Sequence, residues 1–191
     1  PMKEMNRRAF LKLSGASAVM LALAGCGGPS APPAAPTGKE AELAAAINKV
    51  WKEKYATGAV VHEQLTFNQD AVSAIRAYGR VFENANETPH TLEPTDYASV
   101  LAELGELEKE LSKKYGNDSL AGAAGISEPS TANVVTLEDE YSCEDTAVRA
   151  FVDKLLNINS TSAKAEFISI YCPVVQNKTY MTAVVFRNNK T

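Results

Sequence analysis

The side chains best suited to nucleophilic, acid–base or metal-binding chemistry are three cysteines, two histidines and several carboxylates. His62 and His90 do not stand at the i, i+4 spacing of a helical metal-binding pair. The chain has no Cys-x-x-Cys motif, no Gly-rich phosphate loop and no Gly-x-Ser-x-Gly turn. The motifs therefore indicate no catalytic centre and no cofactor, and each cysteine and histidine has to be interpreted from its surroundings.

Cys26 follows Leu23, Ala24 and Gly25, behind a weakly apolar stretch of about a dozen residues. This arrangement resembles a bacterial lipobox. The resemblance implies that residues 1–25 are removed as a signal peptide and that the Cys26 thiol carries a diacylglyceryl group. Stable anchoring requires more than one acyl chain. The alternative, an uncleaved anchor helix, conflicts with the shortness of the stretch.

A second motif precedes the apolar stretch. It resembles a twin-arginine translocation signal and consists of Arg7, Arg8, Phe10, Leu11 and Lys12. The resemblance implies export of an already folded protein and, with Cys26, attachment to the extracytoplasmic face of the cell membrane. Such a signal is only an address, so it implies no bound cofactor.

Residues 26–38 are rich in Pro, Ala, Ser and Gly, a composition that cannot bury a core and favours an extended spacer. At about 3.1 Å per residue, this tether would span roughly 35 Å. The remaining residues, 39–191, are numerous enough for one globular domain.

The expected mature form is acidic. Four basic residues and one acidic residue precede Cys26, so the 19 basic and 23 acidic residues of the chain become 15 and 22, a net charge of −7. This charge disfavours contact with a phosphate backbone, and we expect no nucleic-acid partner. Cys143 and Cys172 remain as a candidate disulfide in an oxidising compartment, or as two buried free thiols.

Helical periodicity appears in four segments. They are residues 39–55, 69–83, a segment after Pro94 that ends at Tyr115, and 142–157. We expect Asn68 to cap the second helix, Thr95 or Asp96 the third, and Ser142 the fourth. A Leu stripe on the third helix favours core packing over a docking surface for a partner protein.

Strand patterns follow the helices. They cover residues 133–137, 166–175 and 179–187, with a hairpin turn at residues 176–178 and a bulge or edge position at Pro173. Residues 117–132, rich in Gly, Ala and Ser, are interpreted as a mobile loop. The order predicts an α+β fold in which helices pack on a small antiparallel sheet that ends in a C-terminal β-hairpin.

This order of elements resembles the CAP/SCP superfamily of secreted proteins. Four stretches carry the resemblance: Ile47 to Trp51, Leu65 to Ile75, Ser142 to Val152, and Lys178 to Phe186. The resemblance implies an α-β-α sandwich. It also implies a cleft with two histidines and two acidic residues that can hold a divalent metal.

This chain departs from that cleft pattern. His90 stands near the place of the first family histidine, and Glu138 or Glu140 near a family acid, but no histidine follows His90. The resemblance thus implies a degenerate member without a metal site, which binds an unknown small molecule or envelope ligand. The alternative is an envelope hydrolase that uses His90 or His62 with a nearby carboxylate. The acidic residues from Glu138 to Asp145 could form a calcium site, but we favour a solvent-exposed segment that leads into the fourth helix.

Overall fold

A computed structural model describes residues 38–157 and 161–190 of the chain. The predicted signal peptide, including Arg7, Arg8, Phe10, Leu11 and Lys12, lies outside the described residues, as do Cys26 and nearly all of the tether. The described part forms a three-layer α-β-α sandwich, which confirms the predicted α+β class.

Helices form where the apolar periodicity predicts them. The helices are α1 (Lys39–Ala56), α2 (Val72–Ala85), α3 (Pro94–Tyr115) and α4 (Asp145–Asn157). A 3-10 turn, Gln69–Ala71, leads into α2, and the side chain of Asn68 accepts a hydrogen bond from the Asp70 N–H at its start, as predicted.

The strands are short. They are β1 (Thr66–Phe67), β2 (His90–Thr91), β3 (Leu120–Ala124), β4 (Val134–Val135), β5 (Phe167–Tyr171), β6 (Val174–Val175), β7 (Lys178–Thr179) and β8 (Thr182–Phe186). The main sheet has the order β1-β5-β8-β3. Within it β5, β8 and β3 are antiparallel, while the edge strand β1 runs parallel to β5 and makes the sheet mixed.

Successive side chains of β8 point to opposite faces of the sheet, because strand side chains alternate. Val184 and Phe186 belong to one apolar core, and Ala183 and Val185 belong to the other. Helices α2 and α3 cover the first core, and α1 and α4 cover the second. Both faces of the sheet are therefore buried, and functional side chains are left to the loops and helix ends.

Two predicted helix starts are wrong. Helix α3 begins at Pro94, and its N-cap is Glu93, not Thr95 or Asp96; the Asp96 side chain closes a capping box by accepting from the Glu93 N–H at 3.1 Å. Proline suits the first helical position because its missing N–H needs no partner there. Helix α4 begins at Asp145, and Ser142 instead accepts from the Glu144 N–H in the preceding turn.

The interpretation of residues 117–132 as a mobile loop is wrong, because this segment contains β3. Its small residues serve close packing: a Cβ on Gly122 would lie 2.7 Å from the Leu155 carbonyl oxygen and 2.9 Å from the Ser162 hydroxyl. A strand of Ala and Gly thus allows α4 and the turn after it to approach the sheet.

The C-terminal hairpin is confirmed. Strands β5 and β8 pair from Phe167↔Phe186 to Tyr171↔Thr182. The ladder breaks at Pro173, as predicted, and β6 and β7 form a small second ladder at the tip. Gln176 and Asn177 make the turn with φ of 50° and 62°, the left-handed values of a two-residue hairpin turn.

Candidate functional site

His90 lies in β2, between α2 and α3, where its backbone pairs with Val135 of β4. Its side chain is only 12% exposed, and the ring meets the edge of Phe82 at a centroid separation of 6.4 Å. Neighbouring elements in the sequence fix the position of His90, because α2 ends shortly before it and the capping box of α3 begins shortly after it.

Both ring nitrogens of His90 face carboxylates. Nδ1 lies 2.6 Å from Oε1 of Glu87, and Nε2 lies 3.3 Å from Oδ2 of Asp96. Although burial opposes the charge, the hydrogen bonds to Glu87 and Asp96 raise the pKa of His90. A carboxylate can only accept, so the arrangement favours the imidazolium, in which both nitrogens donate. Both nitrogens are thus occupied by carboxylates of this chain, and neither is directed toward a metal ion or a substrate.

Glu138 and Glu140, the predicted acidic partners of His90, make other contacts. Glu138 lies 3.4 Å from Nζ of Lys154, and Glu140 lies 2.9 Å from Nζ of Lys178. The hydrogen bonds of His90 go instead to carboxylates that are its near neighbours in sequence. In the structure, His90, Glu138 and Glu140 therefore each pair with different residues.

The acidic residues from Glu138 to Asp145, considered above as a calcium site, form ion pairs with lysine and arginine side chains. Asp139 lies 2.7 Å from Lys154, and Asp145 lies 2.6 Å from Arg149. Among the described residues, no group of three or more His, Cys, Asp or Glu side chains is arranged to hold a metal ion.

His62 is more accessible than His90. It lies in the loop after α1, its side chain is 42% exposed, and Nε2 lies 4.0 Å from Oε1 of Glu166. Its carbonyl oxygen accepts a hydrogen bond from the Trp51 indole at 3.0 Å, which fixes the backbone. A separation of 4.0 Å exceeds a hydrogen bond, so the pair would need a bridging water or a small movement.

Cys143 and Cys172 are both free thiols in the structure. Cys143 is exposed, and its thiol lies 3.4 Å from the hydroxyl of Tyr141. Cys172 is buried in the core shared by α1 and α4, and this burial raises its pKa to about 12. A thiol with such a pKa is protonated and a poor nucleophile at neutral pH.

A polar network joins the start of α2 to the end of α3. The Tyr115 hydroxyl donates to the Asp70 carboxylate and accepts from the Asn68 amide at 2.8 Å. The Lys114 ammonium lies 2.5 Å from the same carboxylate. This network stands beside the stacked rings of Phe167 and Phe186 and contributes to packing.

A groove of about 300 Å³ opens between the last turns of α3 and the beginning of β3. Its lining residues are Glu108, Leu111, Ser112, Asn117, Asp118, Ser119 and Leu120. The sequence interpretation misses this site, because it treats residues 117–120 as part of a mobile loop. Only Asn117 and Asp118, polar residues directly after a helix, hinted at it.

No protein-family model matches this chain. No curated protein and no solved structure is similar enough to count as a match. Within the described ranges, no helix combines the length and apolar character needed to cross a membrane.

Proposed function

We propose that this chain is a lipoprotein anchored through Cys26 to the extracytoplasmic face of the cell membrane, with a binding domain behind a Pro- and Ala-rich tether. The observation that carries the proposal is the position of the first described helix. Helix α1 begins at Lys39, directly after the Pro- and Ala-rich stretch, and Leu43 and Ile47 of this helix are fully buried in the core. This start supports a division between a tether and a domain that begins at residue 39, which the composition of residues 26–38 predicts.

A binding role suits the folded body better than catalysis. A general base needs a free ring nitrogen within reach of the proton that it removes. His90 directs both nitrogens to Glu87 and Asp96. It therefore acts as a buried cation that fastens the α2–α3 junction.

A relationship to the CAP/SCP superfamily is part of this proposal. Its support is the order of helices and strands and the α-β-α layering, which agree with what the four resembling stretches imply. On this view the chain is a member whose metal cleft has been replaced by ion pairs.

The anchor is tested in a bacterium that expresses the full chain. We expect the wild type to fractionate with membranes, to partition into detergent and to show the mass of an acylated N-terminus at Cys26. Cys26→Ser should retain the leader and lose the lipid. Replacement of Arg7 and Arg8 by Lys should block export, because the paired arginines form the signal. Wild-type protein with an unmodified Cys26 would overturn the proposal.

The loss of the metal cleft is tested by melting the protein with added Zn²⁺ or Ca²⁺. No change in melting temperature is expected, since His90 has no free nitrogen. A rise in melting temperature that His90→Ala abolishes would contradict this part of the proposal. His62→Ala serves as the control, because His62 lies on a different loop.

The proximity of His62 to Glu166 favours a second candidate function, an envelope hydrolase. The pair is accessible and needs only a small shift to form a base with its orienting carboxylate. Hydrolysis of ester, peptide or peptidoglycan substrates that His62→Gln abolishes and His90→Gln preserves would establish it. Equal turnover by wild type and His62→Gln would exclude it.

A further inference from the structure

The groove between α3 and β3 is built by residues whose backbone is well fixed. The Asn189 side chain donates to the Asn117 carbonyl oxygen at 2.7 Å, and Arg187 N–H donates to the Ser119 carbonyl oxygen at 2.8 Å. Asp118 adopts a left-handed φ of 55° between these anchored neighbours. The C-terminal segment thus holds residues 117–119 in place, and the groove exists before any ligand arrives.

Its polar side chains are not satisfied by the protein. Within the described residues, the side chains of the polar lining residues make no hydrogen bond or ion pair; these residues are Glu108, Ser112, Asn117, Asp118 and Ser119. Glu106, on the same helix but outside the groove, lies 2.6 Å from Nζ of Lys109. The groove therefore holds two carboxylates without cations, and no cationic side chain is among its described lining residues.

Ser119 is the second, independent sign of a ligand. It is only 3% exposed, yet its hydroxyl has no partner within the described part of the chain. Among the described residues, this hydroxyl is not one of the fully buried polar atoms that lack a partner, so its oxygen keeps a small accessible surface, and its hydrogen bonds must be made to molecules outside the protein. Ser119 lines the groove, so a molecule inside the groove can supply that partner.

The remaining walls are apolar. Leu111 of α3, which is almost fully buried, and Leu120 of β3, which is half-buried, both line the groove. A volume of about 300 Å³ is at the lower end of small-molecule sites and suits a ligand of one ring.

We propose that this groove binds a small polyhydroxylated molecule that carries an ammonium group, the chemistry of an amino sugar. Glu108 and Asp118 receive the ammonium group, Ser119 and Asn117 exchange hydrogen bonds with hydroxyl groups, and Leu111 and Leu120 contact the ring. This inference gives a ligand class to the proposed binding domain and rests on that role.

The test uses calorimetric titration of the full chain carrying Cys26→Ser, which is isolated without lipid. Glucosamine is the probe, and the comparison ligands are glucose, which lacks the amine, and cadaverine, which lacks hydroxyl groups. We expect saturable binding of glucosamine and about tenfold weaker binding of each comparison ligand, because each loses one set of partners. Higher salt should weaken glucosamine binding.

Three variants assign the site. Glu108→Gln and Asp118→Asn should each weaken glucosamine binding about tenfold, and Ser119→Ala several-fold, with unchanged melting temperature for the two surface substitutions. Glu106→Gln is the matched control, since it removes the same charge from the same helix outside the groove. Its affinity should equal that of the parent.

Several results would overturn the inference. They are no saturable binding of glucosamine, equal binding of glucose or cadaverine, and equal effects of Glu106→Gln and Glu108→Gln. None of these results would bear on the proposed lipid anchor, because membrane fractionation and the mass of the Cys26 peptide test the anchor separately. If Cys26 carries no lipid but glucosamine still binds as expected, the proposed anchor is wrong and the proposed ligand class is not.

Discussion

The carboxylate of Asp96 lies 3.3 Å from Nε2 of His90 and also accepts the Glu93 N–H at the start of α3. One side chain therefore caps the helix and holds the imidazole. Because Glu87 binds the other nitrogen, the junction between α2 and α3 is stabilised by the charged form of His90.

The first prediction concerns the pH dependence of this junction. The folded-state pKa of His90 is raised above 6.5, so its stabilisation is complete below pH 6.5 and disappears as the pH rises through the folded-state pKa. We expect His90→Gln to cost about 1 kcal/mol on the acidic side of neutrality and much less at alkaline pH. Denaturant unfolding of both proteins between about pH 5.5 and 9 measures the difference.

His62→Gln is the control for this profile, because His62 is exposed and 4.0 Å from its nearest carboxylate. Because its side chain is exposed, His62→Gln should cost less than about 0.5 kcal/mol at each pH. A His90→Gln cost that grows with rising pH, or that stays constant, would show that the imidazolium does not stabilise the junction.

The second prediction concerns the hydroxyl of Tyr115. Tyr115→Phe removes the donor to Asp70 and the acceptor for Asn68 while keeping the ring against Phe167 and Phe186. We expect a loss of about 1–2 kcal/mol in the free energy of unfolding, because two partly buried groups lose a partner. Tyr55→Phe, at a residue that is 45% exposed, should change stability by less than about 0.5 kcal/mol.

The same substitution has a signature in the titration of Asp70. Burial opposes the charge of Asp70, but hydrogen bonds from Lys114 and Tyr115 lower its pKa below 3.8. Its contribution to stability is thus present above pH 3.8 and is lost as the pH falls through the folded-state pKa. In Tyr115→Phe, an NMR titration should place the Asp70 pKa closer to 3.8 than in the wild type. An unchanged pKa would mean that Lys114 and Asn68 determine it without Tyr115.

Apolar periodicity was sufficient to predict the helices, since each one buries a stripe in one of the two cores. For example, the helix predicted over residues 39–55 spans Lys39–Ala56 in the structure. Strand β3 could not be found in this way. Its Leu-Ala-Gly-Ala-Ala sequence has low strand propensity, and it forms a strand because β8 pairs with it and α4 packs closely over Gly122.

The surroundings of His90 show a similar limit. Resemblance to a family cleft predicted that His90 lies near Glu138 and Glu140. Its hydrogen-bond partners are Glu87, which lies just after the end of α2, and Asp96, which lies in the first turn of α3. Local helix ends determine these contacts. Helical periodicity alone does not indicate which carboxylate at such an end turns toward the histidine.

The third prediction compares two glycines. Gly125 follows β3 with φ of 101°, and a Cβ there would overlap the carbonyl oxygen of Met181. Gly125→Ala should cost about 3 kcal/mol or more, because backbone must move to relieve the overlap. Gly105 lies in α3, and a Cβ added to it would meet no neighbouring atom within 4 Å. Gly105→Ala should therefore stabilise the protein by about 0.5–1 kcal/mol.

Thermal and denaturant unfolding of the two glycine variants gives both free energies on one scale. The two changes add the same methyl group, so their opposite signs would come from the local backbone and packing. A Gly125→Ala protein as stable as the wild type would mean that the turn between β3 and β4 can open without cost.

The fourth prediction concerns the two thiols, in a chain carrying Cys26→Ser. In the free-thiol state that the structure describes, Cys143 is exposed and Cys172 is buried with a pKa of about 12. A maleimide should therefore label Cys143 within minutes at neutral pH and label Cys172 only after unfolding, because the reagent needs an accessible thiolate. Peptide mass analysis assigns each label, and Cys143→Ser, which should show no rapid labelling, is the control.

Protein recovered from an oxidising compartment distinguishes the two alternatives for this pair. If Cys143 and Cys172 form a disulfide there, neither thiol is labelled before reduction, both are labelled after reduction and unfolding, and the intact mass is lower by two hydrogens. Rapid labelling of Cys143 in that material would instead establish the free-thiol state after export. Rapid labelling of Cys172 in the folded chain would contradict its burial in the core that α1 and α4 cover.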